Sequence, residues 1–263
     1  MRRNEMKRKL EVGEPVYGLF CTTPSPVHVE MVGHAGYDFV ILDTEHTLVN
    51  PETLEHMIRA AEAVSLTPLV RVPEADPGAI LRSLDAGAQG VVVPHVRRRE
   101  DLEAALHAAR YFPEGMRSLN GGRVPGFFGE VSPQEYVKRA NEETMVIPMI
   151  EDREGVEGID EILSIPGISG VLEGAADLSQ SLGIPWETRH PEVREAVMKV
   201  KEAANRHGVP FFALPRVPED LGAWRKAGVH AFVLGEERSL AFRALHNHLR
   251  AHQTHLPNKE GAR

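Results

Sequence analysis

A chain of 263 residues, 42% of them hydrophobic, can bury one large core, and α/β barrels reach this size as a single unit. Its formal net charge of −8 argues against nucleic-acid or anionic-membrane partners, both of which require clustered cations. The single cysteine, Cys21, excludes an intramolecular disulfide. The charged N-terminal stretch lacks the apolar core of a secretory signal and no apolar run approaches the roughly 20 residues of a membrane span, so a cytoplasmic globular protein is expected.

Short apolar runs alternate with amphipathic segments along the chain. The first predicted strand covers residues 16–23 and ends beside Pro24-Ser25-Pro26. Cys21 within it reads as a small, partly buried residue rather than a nucleophile. The second strand, 39–44, is the apolar run Phe39-Val40-Ile41-Leu42 leading directly into Asp43-Thr44-Glu45-His46. A helix signal, Asn50-Pro51-Glu52, follows. Three ionisable side chains therefore crowd the carboxyl end of a buried strand, where each charge must be paired or desolvated. His46 is a candidate general base, because an imidazole titrates near neutrality.

The third strand, 68–72, carries Arg71. A guanidinium beside carboxylates suits bidentate recognition of an anionic substrate, or else forms a structural pair with Glu45 or Asp43. The next helix opens at Asp76-Pro77 and closes at Gly87, with Asp85 near its end. Negative charge is unfavourable at a helix C-terminus, so Asp85 reads as a group that orients a histidine, with plain solvation as the alternative. The fourth strand is 90–95 and ends at His95. Residues 112–130 then form a long loop containing Gly and Arg, including Arg117 and Arg123; loops of that length in compact domains are usually functional.

Ser132-Pro133 opens a further helix, and the fifth strand, 145–151, ends in Glu151-Asp152. The sixth, 170–173, runs into the small-residue turn Gly174-Ala175-Ala176-Asp177, whose backbone N–H groups suit a carboxylate or enolate oxygen. His190-Pro191 and Gly208 bracket the next helix, 210–215 is the seventh strand, Val217-Pro218 and Gly228 bracket another helix, and 231–235 is the eighth strand. The region 240–263 reads as a helix that passes into a polar tail. Its histidines at 246, 248, 252 and 255 fit a solvated end better than a metal site.

Eight β/α units in about 260 residues match a single-domain (β/α)8 TIM barrel. A doubly wound open sheet is the competing fold. The barrel is preferred because residues suited to chemistry sit at the ends of many successive strands, whereas an open sheet gathers them at one switch point. On that fold Asp43, Glu45, His46, Arg71, His95, Glu151, Asp152, Glu173 and Asp177 would share one rim. Carboxylates without cysteine ligands select hard cations, Mg²⁺ first and Mn²⁺ next.

Asp43-Thr44-Glu45-His46, Arg71-Val72-Pro73, Ile150-Glu151-Asp152 and Ala176-Asp177-Leu178-Ser179 occur in that order, with Leu84-Asp85-Ala86-Gly87-Ala88-Gln89-Gly90 between the second and third of them. This combination resembles the HpcH/HpaI aldolase family, the metal-dependent class II 2-oxo-acid aldolases, over roughly residues 18–235. The resemblance implies a (β/α)8 barrel assembled as a hexamer with an exchanged C-terminal helix. It implies that Glu151 and Asp177 ligate a divalent metal on which pyruvate, or a similar 2-oxo acid, chelates. Arg71 would hold the keto oxygen and stabilise the enolate, and the backbone of Gly174, Ala175 and Ala176 would hold the carboxylate. His46, paired with Asp85 of its own or a neighbouring subunit, would move protons through a metal-bound water. The lack of a lysine at a recognisable strand end argues against Schiff-base chemistry.

Three positions depart from the family pattern: Met149 replaces the usual Gln, Ala175 the usual Pro, and Ser118 the usual Gly after Arg117. These departures fit the citrate-synthase-like branch that serves siderophore pathways by condensing oxaloacetate with acetyl-CoA. There Arg117 or Arg123 would meet a second substrate carboxylate. A non-catalytic metabolite-binding barrel is a third reading; it predicts lost metal carboxylates, yet Glu151 and Asp177 are both present.

Overall fold

The computed structural model describes residues 2–120 and 131–254. In chain order the elements are α1 (Glu5–Glu11), β1 (Val16–Cys21), α2 (Pro26–His34), β2 (Phe39–Asp43), α3 (Pro51–Ala63), β3 (Thr67–Arg71), α4 (Pro77–Asp85) and β4 (Gly90–Val93). Then come α5 (Arg99–Ala109), α6 (Pro133–Glu143), β5 (Met145–Ile150), α7 (Arg153–Glu157), α8 (Ile159–Leu163), β6 (Val171–Glu173) and α9 (Ala175–Ser181). The chain finishes with α10 (Pro191–His207), β7 (Phe211–Ala213), α11 (Asp220–Lys226), β8 (Ala231–Glu236) and α12 (Glu237–Gln253). The eight strands pair in parallel and in sequence order, and β8 closes on β1. The expected barrel is thus the fold, and the open sheet is excluded.

Local chemistry sets the helix starts. Asn50, Asp76 and Ser132 each accept a hydrogen bond from the backbone N–H three residues on, with proline in the first turn. His190 caps α10 through its ring, and Gly208, at φ +66°, closes that helix in the left-handed region. The Val217-Pro218 signal falls short of the helix it was expected to open. α11 begins at Asp220, whose carboxylate accepts from the N–H groups of Arg216 and Val217 and holds the preceding turn.

Strand alternation divides the core into two layers. Phe39, Ile41, Leu69, Val92, Ile147, Met149, Leu172 and Phe212 fill the barrel, while Val40, Leu42, Val70, Val91, Val93, Val146 and Val171 face the helices. Both strand faces are covered, which explains why the strands read as continuous apolar runs. The floor of the barrel is closed by α1, which sends Met6 into the interior core. Asn4 fixes that plug: its side chain accepts from Lys7 N and donates to the carbonyls of Gln89 and Glu143.

At the other end of the chain, α12 leaves the barrel after packing against β1 and β8. Glu237 is the only buried residue of that helix. Phe242, Leu245 and Leu249 form an exposed apolar stripe at helical spacing along it. The expected polar tail lies largely outside the described residues, His255 included.

Candidate active site

The same alternation that fills the barrel carries polar groups to its rim. Asp43 follows Ile41 by two residues, Arg71 follows Leu69, Glu151 follows Met149, and Gly174 follows Leu172. Each therefore continues an inward-facing row at the carboxyl end of its strand. Asp43 and Arg71 are also direct partners in the β2–β3 register.

Arg71 lies at the centre. Its Nε donates to Asp43 Oδ1 at 2.8 Å, and its Nη1 lies 3.0 Å from Glu45 Oε2. The guanidinium carbon sits 4.6 Å above the centroid of the Phe20 ring, and Nη1 is 4.0 Å from Met149 Sδ. Side-chain exposure is 9% for Arg71, 0% for Asp43 and 11% for Glu45. Burial works against the guanidinium's charge, but the Asp43 bond and the Asp43, Glu45 and Glu151 charges outweigh it, so its pKa rises. Thr44 ties the loop down by donating both its N–H and its hydroxyl to the Arg71 carbonyl.

Opposite this pair stand His95 and Glu151. The backbone N–H of His95 donates to Glu151 Oε1 at 2.8 Å, made possible by a left-handed backbone at φ +50°. Its Nδ1 pairs with Asp152 Oδ2 at 3.0 Å, while Nε2 lies 3.5 Å from Glu45 Oε1. Burial alone would depress the imidazole; the Asp152 bond and the charges of Glu151, Asp152 and Glu45 reverse that, and its pKa is raised. Burial pushes Glu151 up to about 7; the His95 N–H and charge oppose the shift, and the Glu45 and Asp177 charges add to it.

Among the described residues, Glu45, His95 and Glu151 offer ligand atoms within 4.8 Å of one another, a set able to hold a metal ion. Two further observations fit a cation here. Asp43 Oδ2 is buried without a hydrogen-bond partner, so negative charge at the rim is incompletely compensated. A Cβ on Gly174 would lie 2.5 Å from Glu151 Oε2, so glycine keeps that carboxylate accessible. The Asp152 bond to His95 is also the kind of second partner that orients a metal-binding imidazole.

The remaining sequence candidates are distributed as follows. Glu151 belongs to the three-residue group; Asp177, half-buried at the start of α9, does not, although its charge acts on Glu151. His46 stands at the rim with its side chain 60% exposed and Nε2 3.6 Å from Glu45 Oε2. Asp85 does not pair with His46 within the chain. It accepts from Arg117 Nη2 at 2.6 Å and from Asn120. Arg117, with its side chain 1% exposed, lies over the Tyr111 ring at 4.8 Å and donates to Asp85, so within this chain its guanidinium is packed and partnered. Arg123 lies outside the described residues.

In the β6 turn, Gly174 N–H donates to the Ile150 carbonyl and Ala175 N–H to the Glu173 carboxylate. That leaves Ala176 and Asp177 as the first-turn donors of α9 directed at the rim. Sequence reasoning placed His95 and Glu45 at strand ends but did not pair them. Their meeting depends on loop conformation, and a non-glycine residue at positive φ leaves no mark in the sequence.

One contact joins the rim to the last helix. Glu237 accepts from the backbone N–H groups of Thr22, at 2.9 Å, and Thr23, at 2.7 Å, while Glu236 accepts from the Thr22 hydroxyl. The Thr22 carbonyl in turn accepts from Thr47 Oγ1, next to His46.

Residues 16–244 match the family model described as HpcH/HpaI aldolase/citrate lyase. The chain is 34% identical to a hydroxypyruvate/pyruvate aldolase from Sagittula stellata, over 86% of this chain and 88% of that protein. It is 30% identical to a 5-keto-4-deoxy-D-glucarate aldolase from Escherichia coli, over 89% and 91%. Among solved structures, citrate synthase SbnG superposes with a TM-score of 0.88 at 44% identity, covering 95% of this chain and 97% of that one. With the barrel, the ordered strand-end motifs and this similarity taken together, the chain is a lyase-type enzyme of the HpcH/HpaI aldolase/citrate lyase family.

Proposed function

We propose that the enzyme makes or breaks a carbon–carbon bond adjacent to the keto group of a 2-oxo acid, using a divalent metal held at Glu151. The observation that carries this reading is the Arg71 fork, fixed between Asp43 and Glu45 and set against Glu151 and His95. Asp177 is the second metal carboxylate on the family pattern; Glu45 and His95 complete the donor set that the geometry favours. Oxygen donors favour Mg²⁺ and the imidazole shifts the preference toward Mn²⁺. Bound there, such a cation supplies a Lewis acid for the keto and carboxylate oxygens of the substrate.

The protein groups do the rest. Arg71 has Nε and Nη1 committed to carboxylates, which leaves Nη2 to donate to the keto oxygen, where negative charge develops as the enolate forms. The first turn of α9 receives the substrate carboxylate at the N–H groups of Ala176 and Asp177, since those of Gly174 and Ala175 are engaged. His46 takes and returns the proton, with Glu45 beside it and Asp85 of a neighbouring subunit orienting it. The exposed Phe242–Leu245–Leu249 stripe supports exchange of α12 between subunits of a cytoplasmic homo-oligomer, a hexamer on the family pattern.

Transfer of pyruvate methyl protons to deuterated solvent, followed by NMR, tests this reading. Exchange should require Mg²⁺ or Mn²⁺, stop on chelation, and fall about 10²–10³-fold in Arg71→Ala, the usual cost of losing an oxyanion donor. A folded, metal-loaded enzyme without exchange would contradict it.

A second reading, condensation of oxaloacetate with acetyl-CoA, is favoured by the higher identity with citrate synthase SbnG and by Met149 against Arg71, where an amide is usual. Oxaloacetate-dependent release of free thiol from acetyl-CoA separates the two.

A further inference from the structure

Between α10 and α11, behind the end of β6, lies a cavity of about 310 Å³ to which the proposed chemistry gives no role. That volume falls within the roughly 300–1,000 Å³ typical of small-molecule sites. One wall is apolar, built from Val197 and Met198 of α10 and Ala223 and Trp224 of α11. The Trp224 indole is braced by Phe211, with ring centroids 5.6 Å apart.

The other wall is charged and carries a surplus cation. Arg189, Arg194 and Arg216 face two carboxylates, Glu173 and Asp220. Both acids are engaged. Glu173 accepts from Arg216 Nη2 at 3.0 Å and from Leu214 N–H at 2.8 Å, and Asp220 holds two backbone N–H groups. Arg189 reaches Asp220 only at 3.9 Å, and the side chain of Arg194, exposed at the mouth, has no ion pair or hydrogen bond among the described residues.

The geometry points to a binding site for a small carboxylate with an apolar body: the body lies against Trp224, and the carboxylate meets Arg194 and the edge of Arg216. The ligand would rest on Glu173 and Ala175, the residues behind the 174–177 turn.

In a Trp186→Phe variant Trp224 is the sole tryptophan, so its fluorescence reports on the cavity without reference to catalysis. Titration with 3-phenylpropionate should give a saturable change. The neutral 3-phenylpropan-1-ol should bind about tenfold more weakly, since a charge-assisted bond is lost. Arg194→Ala should weaken the acid about tenfold and leave the alcohol unchanged, with an unaltered unfolding temperature because Arg194 is exposed. Equal binding of acid and alcohol, an unsaturable response, or indifference to Arg194→Ala would each overturn the assignment, whatever the enzyme's reaction proves to be.

Discussion

Replacing Arg71 with lysine would keep the charge and remove the fork. An ammonium can meet Asp43 or Glu45 but cannot bridge both and still donate to a substrate oxygen. Methyl-proton exchange in Arg71→Lys should therefore drop about a hundredfold. Arg71→Ala should also unfold in urea with a loss of about 3 kcal/mol, since it strands the buried Asp43 carboxylate and leaves half-buried Glu45 without its guanidinium. Gly174→Ala tests the same wall from the other side. Its new Cβ would lie 2.4 Å from Glu151 Cβ, and neither partner can retreat, as Glu151 is fully buried. Calorimetry should find metal affinity reduced at least about tenfold.

Cys21 gives a pH-dependent control. Burial, with the Glu237 charge adding and a backbone hydrogen bond from Thr23 opposing, pushes the thiol from an ordinary 9.0 up to about 12. Between those values the folded chain keeps a proton that the unfolded chain loses, so stability falls as pH rises through that window. At pH 9.5 iodoacetamide should label the native enzyme about a hundredfold more slowly than the urea-unfolded chain.

At the level of elements, the strands were legible because both faces of each are covered, and the caps because Asn, Asp or Ser before Pro has a single local meaning. α1 was not. Its sequence is charged nearly throughout, and its one buried side chain, Met6, acquires meaning only against a barrel floor built from distant strands. Met6→Ala should cost about 2–4 kcal/mol in thermal or urea unfolding, as for any large apolar side chain removed from a packed interior. At the site, Asp43, Arg71 and Glu151 were legible through their inward parity on successive strands. The Glu45–His95 approach and the Arg117–Asp85 pair were not, because loop conformation and long-range packing set them.

On the scale of the whole molecule, α12 leaves most of its surface uncovered by its own chain. The exposed stripe of Phe242, Leu245 and Leu249, on a helix with one buried residue, is the surface that the proposed exchange between subunits would cover. Leu245→Asp should shift the particle to a smaller species in light scattering while leaving the barrel folded by circular dichroism.

If α12 is exchanged as proposed, the Glu237 clamp carries assembly to the rim. The first residue of α12 grips the β1 loop, and that loop braces the segment bearing His46. On the proposed exchange, subunit association and substrate binding would be thermodynamically linked, and linkage between binding events is reciprocal. Specific activity should decline on dilution as subunits separate, and saturating substrate should in turn lower the concentration at which they do.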